Sequence, residues 1–301
     1  MMDYLLKHRN INVAEFRIDK ETNNVDYVNI LDEKFSPVNI KASEGGKLVS
    51  FNNWLINRCI PNSRDGVERL KREYKVNDLK IIMLALYGLS LSDHYWVDRE
   101  PFNKKWENVN LFDNLNFKYT PYFAEKHGKE WVSLCKCIAD KNVELVSADD
   151  ICKRYGIEKS YEAFVKLGEE KECSDFKNDI NTIIIADFLI ENTDRHWNNF
   201  GILRDGETGK WIGTIPLFDN GYSLWNNDFI DINKASSCLS FEETNIDCLK
   251  YVNINSYIKN VPDMIDIFDR AFNKYENSER KNALRGVIKI KQKEIEKSLK
   301  S

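Results

Sequence analysis

The stretch ENTDRHWNNFGILRDGETGKWIGTIPLFDNGYSLW, residues 191–225, decides how the rest of the chain is read. It opens at the end of an apolar run, DFKNDINTIIIADFLIEN. There Ile180, Ile183, Ile184, Ala186, Asp187, Phe188 and Ile190 predict a helix that is buried nearly all round. A polar loop follows, with Asp194 and, five residues on, Asn199. Two apolar runs, NFGILR and KWIGTIPLF, then flank the turn DGETG and predict a β-hairpin. The second run closes on Phe-Asp-Asn-Gly, and its Asp219 is expected to be buried.

This order of parts has a chemical meaning. Transfer of a phosphoryl group from ATP needs the triphosphate held with Mg²⁺, because its charge repels a nucleophile. Mg²⁺ takes hard oxygen ligands, usually one or two carboxylates plus phosphate and water. The attacking hydroxyl needs a base in line with it, and an Asp serves in protein kinases. Asp194 and Asn199 have the Asp-x-x-x-x-Asn spacing of the protein-kinase catalytic loop. Asp219 follows a hairpin, where the kinase Asp-Phe-Gly would come. A lone D-x4-N is common in loops. The whole succession of buried helix, N-x-D-R-H-x-x-N-F-G, hairpin and P-L-F-D-N-G is far more demanding, and it points to a metal and phosphate site.

These motifs resemble the HipA-like serine/threonine kinases, bacterial members of the protein-kinase superfamily that are distantly similar to phosphatidylinositol kinases. The family writes its catalytic loop with Asp before His, as in Asp194-Arg195-His196 here. LINRCIPNSRDG and LALYGLSLSDHYWV, nearer the start, resemble the leading region of a Gram-positive branch of the family. The resemblance implies an α+β, protein-kinase-like helical C-lobe with a catalytic-loop hairpin, a reduced β N-lobe and an extra mixed N-terminal region. It implies Asp194 as catalytic base, His196 as support for the loop, and Asn199 and Asp219 as magnesium ligands. ATP and Mg²⁺ would be the cofactors and a protein Ser/Thr hydroxyl the acceptor. Many members are toxins, so an antitoxin is an implied partner. The implied divisions are 1–115 for the family-specific region, 116–147 for the reduced N-lobe and hinge, and 148–301 for the C-lobe.

One half of the machine is missing from this pattern. A kinase N-lobe lays a Gly-rich loop over the phosphates and touches them with a strand Lys. The corresponding interval, WENVNLFDNLNFKYTPYFAEKHGKEWVSLCKC, is too short for a five-stranded sheet and contains Gly128 alone. Val38-Asn39-Ile40-Lys41 superficially matches the kinase V-A-I-K, but its Gly pair follows the Lys instead of preceding it. The surviving hinge candidate is SLCKC, where backbone groups of Lys136 and Cys137 could meet adenine. Two alternatives to an active kinase therefore stand beside it. One is a pseudokinase or interaction module whose helical lobe holds a partner. The other is a lipid or small-molecule phosphotransferase, since phosphatidylinositol kinases share the D-R-H-x-x-N order.

Bulk properties agree with a folded, reducing-compartment protein. The 301 residues are 42% hydrophobic, and the formal net charge is −4, so a general nucleic-acid affinity is not favoured. No run approaches the length of a membrane helix, and the start does not read as a signal peptide, so a cytoplasmic location is expected. Seven cysteines in no CxxC pair read as free thiols, and histidines at 8, 94, 127 and 196 show no zinc-ligand spacing. VAEFRID and VDYVNIL predict a first hairpin. SFNNWLINRCI, SRDGVERLKREY and the run from VNDLKIIMLALYG predict helices, and 98–130 reads as irregular. Residues 131–146 predict two strands. Beyond the hairpin, Met264, Ile267, Phe268 and Phe272 share one helical stripe, and the final helix has a basic, solvated outer face.

Overall fold

Alternation of apolar and polar residues along INVAEFRI sets the first sheet in the computed structural model. It describes residues 2–62, 66–114, 123–127, 130–134, 138–225, 230, 237–253, 264–273 and 279–298. Strand β2 (Ile11–Ile18) buries Val13, Ala14, Phe16 and Ile18 and turns Glu15 outward. It pairs antiparallel with β1 (Met2–His8) and with β3 (Val25–Ile30), the hairpin that the sequence predicts. Asp19 shapes the β2–β3 turn by accepting hydrogen bonds from the Thr22 and Glu21 amides at 2.8 and 3.0 Å. Strand β4 (Tyr95–Arg99) pairs antiparallel with β1, giving the order β3-β2-β1-β4.

Helices cover this sheet. Helix α1 (Glu44–Asn57) packs Phe51 and Leu55 into a core with Leu6, Phe16, Phe35 and Val97. It starts earlier than the sequence suggests, because the Ser43 hydroxyl accepts from the Gly46 amide and caps it. Such a cap is worth about 1 kcal/mol and here outweighs the Gly45-Gly46 pair. Helices α2 (Val67–Tyr74) and α3 (Leu79–Ala85) follow. Gly88, at φ +57°, ends the third helical region as expected, but the chain then enters β4 rather than an irregular stretch. The segment read as irregular also holds two single-turn helices, α4 (Trp106–Val109) and α5 (Leu111–Asn114). It further holds β5 (Phe123–His127), paired antiparallel with β6 (Glu130–Leu134), the first of the two strands expected over residues 131–146. A third sheet orders β7 (Val143–Ser147), β8 (Gly201–Asp205) and β9 (Trp211–Thr214), with β8 and β9 forming the second predicted hairpin. The architecture is α+β.

The chain divides into two compact units. One comprises Met1–Val146, Asp150–Ile157 and Ile202–Ile215; the other Ser147–Asp149, Glu158–Gly201 and Pro216–Ser301. Helix α6 (Ala148–Tyr155) spans the division. The second unit is helical: α7 (Tyr161–Glu170), α8 (Phe176–Ile190), a 3-10 turn (Asp247–Tyr251), α9 (Met264–Ala271) and α10 (Glu279–Ser298). Helices α7 and α8 approach so closely that a Cβ on Gly168 would lie 2.0 Å from Phe176 Cδ1. On the α9 stripe Phe268 is buried with Leu284 and Ile288 of α10, and Phe272 stacks on it at 4.4 Å; the Met264 side chain lies outside the described residues. Among the described residues no helix is long and apolar enough to cross a membrane.

A buried polar cluster ties the strands of the first unit together. Glu144 of β7 is fully buried; its Oε1 accepts from His8 Nε2 and from the His94 amide, each at 2.8 Å, and its Oε2 accepts from Arg204 Nε at 2.9 Å. A carboxylate only accepts, so we assign the His8 proton to Nε2. Likewise His94 Nε2 donates to the Asp140 carbonyl at 2.8 Å. Both Nδ1 atoms are then buried lone pairs without a hydrogen-bond partner. Burial by itself would raise the Glu144 pKa, but Arg204 and the two imidazoles more than offset it and hold the carboxyl well below the usual range. Burial lowers the His8 pKa, against the opposing pull of Glu144.

Two outcomes follow from that cluster. Glu144→Gln leaves Arg204 buried and unpaired and should cost about 3–5 kcal/mol, read from the urea midpoint. Because the His8 pKa is depressed in the folded chain, its contribution is complete above the unfolded-state pKa of about 6.5 and is lost as pH falls from there through the lower folded-state value. Unfolding free energy should decline between roughly pH 7 and pH 5, and His8→Gln should flatten that slope.

Candidate active site

The candidate site begins where α8 ends. Glu191, at φ +53°, is its left-handed cap, and the chain turns sharply into the loop 192–199. Asn192 fixes the turn from both sides. Its amide nitrogen Nδ2 donates to Asp187 Oδ1 at 2.9 Å, and its Oδ1 accepts from the Asp194 backbone at 3.1 Å. The loop then closes on itself. The carbonyl of Asp194 accepts from the His196 amide and from Asn199 Nδ2, both at 2.8 Å. Because Nδ2 of Asn199 is committed inward, its Oδ1 is the atom left to face a ligand.

One guanidinium holds this loop to the segment that carries Asp219. Arg195 is 1% exposed and grips Asp187 of α8 with a two-point fork, Nε to Oδ2 at 2.9 Å and Nη2 to Oδ1 at 3.0 Å. Its Nη1 donates to the carbonyls of Asn199 and Phe218 at 2.8 and 2.7 Å, and its Nη2 also reaches Asn220 Oδ1. The residue before Asp219 and the residue after it are thus both tied to the loop that presents Asp194 and Asn199. Backbone pairing continues the join, with Thr193 N to Tyr222 O at 3.2 Å and Leu224 N to Ile190 O at 2.7 Å.

Of the six residues singled out in the sequence, four fall among the described residues. The structure brings Asp194, Asn199 and Asp219 onto the two segments that Arg195 joins. Asp194 is half-buried and Asn199 buried. Asp219 is exposed, not buried as its apolar neighbours suggested, and sits at φ +52°. The left-handed turn at the end of the apolar run swings its carboxylate out of the core. Such a conformation in a non-glycine residue is sparsely populated and costs of order 1–3 kcal/mol. His196 accepts from the Asn198 amide within its own loop, while Arg195 supplies the long-range support. Lys136 and Cys137 lie outside the described residues. Lys41 is exposed in a turn ahead of α1, where its amide donates to Asn39 Oδ1, so the Val38–Lys41 segment forms no kinase-like strand.

The donors fit a hard divalent cation. Asn199 Oδ1 and the Asp219 carboxylate are both oxygen, the donor type that Mg²⁺ prefers. The histidine cluster of the first unit fits such an ion poorly. Ligand atoms of His8, His94 and Glu144 do lie within 4.8 Å of one another, a meeting that their separation in sequence conceals. Arg204 already neutralises Glu144 there, and a further dication would be uncompensated in a fully buried site. Sequence reasoning missed Arg195, Asn192 and Asn220. The available signal was Asp187, a carboxylate inside an apolar helix that burial obliges to find a partner.

No family model matches the chain, and no curated protein matches it. Among solved structures it is similar to the Helicobacter pylori proinflammatory kinase CtkA, at 18% identity and a TM-score of 0.46. That match covers 63% of this chain and 82% of CtkA. A score of that size does not establish a shared fold.

Arg195→Met removes the cation that neutralises buried Asp187 and the donors to Phe218 and Asn220. It should lower the unfolding free energy by about 3–5 kcal/mol. Arg195→Lys keeps the charge and loses the fork, and its denaturation midpoint should fall between those of Arg195→Met and the wild type.

Proposed function

We propose that the chain is a kinase-like phosphotransferase that uses Mg·ATP, with a protein Ser/Thr hydroxyl as acceptor in the manner of the HipA-like kinases. The observation that carries this reading is the Arg195 clamp, which joins a D-x4-N loop to an Asp held out of the core in a strained turn.

In this reading Asn199 Oδ1 and the Asp219 carboxylate hold magnesium, which when bound neutralises the phosphate charge. Asp194 takes the proton of the acceptor hydroxyl as it attacks. Its backbone is pinned by Asn192 and Asn199, which fixes the point at which its side chain leaves the loop. Arg195 touches no reacting atom and acts as a positioning residue. The toxin role, with an antitoxin as partner, remains the family's implication and rests on the sequence resemblance.

A second reading is favoured by Lys41. The one stretch resembling a phosphate-gripping Lys strand is an exposed turn. A lobe that keeps the loop but holds a protein partner instead of transferring phosphate accounts for that.

Calorimetric titration with ATP separates the two. Binding that depends on Mg²⁺ and is lost in Asp219→Ala supports the phosphotransferase. Asp194→Asn should retain that binding and slow transfer by about 10²–10⁴-fold, the usual contribution of a general base. A folded chain that binds no ATP up to millimolar concentration would sink the reading.

A further inference from the structure

The sequence reads the seven cysteines as free thiols, and the fold of the second unit brings two of them, Cys238 and Cys248, together. An isolated antiparallel bridge pairs Ser237 with Thr244, and the next residue, Cys238, donates its amide to the Glu243 carbonyl at 2.9 Å. One turn later, the Cys248 amide donates to the Thr244 carbonyl, and the 3-10 turn Asp247–Tyr251 aims its side chain back at Cys238. The two sulfurs are 3.4 Å apart, and the cysteines are not bonded. Cys238 is the more accessible at 9% exposure, against 2% for Cys248.

The chemistry of the two sulfurs differs. The hydrogen bond from Cys248 is the main cause that lowers the Cys238 pKa, to about 5, helped by the Ser240 hydroxyl at 3.1 Å and opposed by burial. The same pairing, together with burial, pushes the Cys248 pKa up. Cys238, the more exposed of the two and within 3.1 Å of the Ser240 hydroxyl, is the sulfur better placed to carry the thiolate, with Cys248 beside it as the second thiol. A low-pKa thiolate with a second thiol poised beside it is the arrangement of a redox-responsive pair.

The segment that carries the pair also buttresses the candidate site. Asn245 Nδ2 donates to the carbonyl of Asn192 at 2.8 Å, and Ser240 accepts from Trp197 Nε1 at 3.0 Å. Asn245 is itself buried. Phe241, between the cysteines in sequence, packs on Trp197 and Phe200 at ring separations of 5.4 Å. Bond formation would draw the sulfurs from 3.4 Å to about 2.05 Å, and both hydrogen-bonded anchors lie inside the 238–248 loop that would tighten.

We propose that Cys238 and Cys248 are a site of reversible oxidation by peroxides, closing to a disulfide that changes the seating of the loop 192–199. The Cys238 thiolate attacks one peroxide oxygen, the O–O bond breaks, hydroxide leaves, and a sulfenic acid forms on Cys238. The Cys248 sulfur then attacks the Cys238 sulfur, the S–O bond breaks, and the departing oxygen leaves as water with the Cys248 proton. Two electrons pass from the thiol pair to the peroxide. That this tunes phosphoryl transfer rests on the proposed function; that the pair closes does not.

The test treats the folded chain with hydrogen peroxide and maps its peptides by mass spectrometry. The expected result is a Cys238–Cys248 cross-linked peptide, lighter by two hydrogens and reversed by dithiothreitol. In Cys248→Ser, dimedone should instead trap a sulfenic acid on Cys238. Amide hydrogen exchange across 192–199 should shift on oxidation of the wild type and not of Cys248→Ser. Recovery of both cysteines as separately alkylated thiols after peroxide treatment would overturn the proposal, as would linkage of either to a different cysteine. A mapped disulfide without any shift in exchange would overturn the coupling to the loop. A mapped disulfide in a chain that binds no Mg·ATP in either redox state would remove the phosphotransferase reading and leave the oxidation site standing.

Discussion

The second unit turns on one buried charge pair. Asp187 lies on α8 among Ile183, Ile184, Ala186, Phe188 and Ile190, and an ionised carboxylate there is costly unless its charge and lone pairs are met. Arg195 meets them and has donors to spare. Two oxygens of Asp187 take one side of the guanidinium, and the carbonyls of Asn199 and Phe218 and the amide of Asn220 take the rest. Lysine could supply the charge but not the planar fork that reaches three segments at once. The consequence is positional. The helix end, the polar loop and the turn at Asp219 all meet at one side chain that is itself out of reach of solvent, and backbone bonds from Thr193 and Leu224 extend the join.

The first unit solves a similar problem with a different outcome. Glu144 is buried and paired with Arg204, and the His8 imidazole and the His94 backbone amide donate to its other oxygen. Phe35 stacks on His8 at 4.1 Å, and Gly206 lies so near His94 that a Cβ there would come within 2.3 Å of Nδ1. Packing this tight leaves the cluster a structural staple across β1, β7 and β8. The two units thus each contain a buried Arg–carboxylate pair, but only in the second does the arginine also position polar residues that face outward.

Much of the site was legible because it is local. The loop residues Asp194 and Asn199 and the hairpin that follows lie within one continuous segment, where period and turn chemistry read directly. Hairpin β2–β3 was legible for the same reason. What escaped involves partners far apart in the chain. Strand β4 is five residues long and follows a Ser-rich stretch, and it is pairing with β1 that makes it a strand. The meeting of His8, His94 and Glu144, and that of Cys238 and Cys248, depend on register and on a 3-10 turn that no spacing rule encodes. The exposure of Asp219 was misread because its neighbours Leu217 and Phe218 suggest a strand interior. In the fold Leu217 is exposed as well. Arg195 was passed over for the histidine beside it, since the sequence pattern names both and only the fold shows which reaches across.

The claim that Asn199 and Asp219 share one cation is tested most directly by paramagnetic broadening. Mn²⁺ stands in for Mg²⁺, and amide resonances of the chain are recorded with a non-hydrolysable ATP analogue present and absent. The account expects nucleotide-dependent broadening centred on Asn199 and Asp219, lost in Asp219→Ala. Broadening confined to the vicinity of His8, His94 and Glu144, or none at either segment, would contradict it.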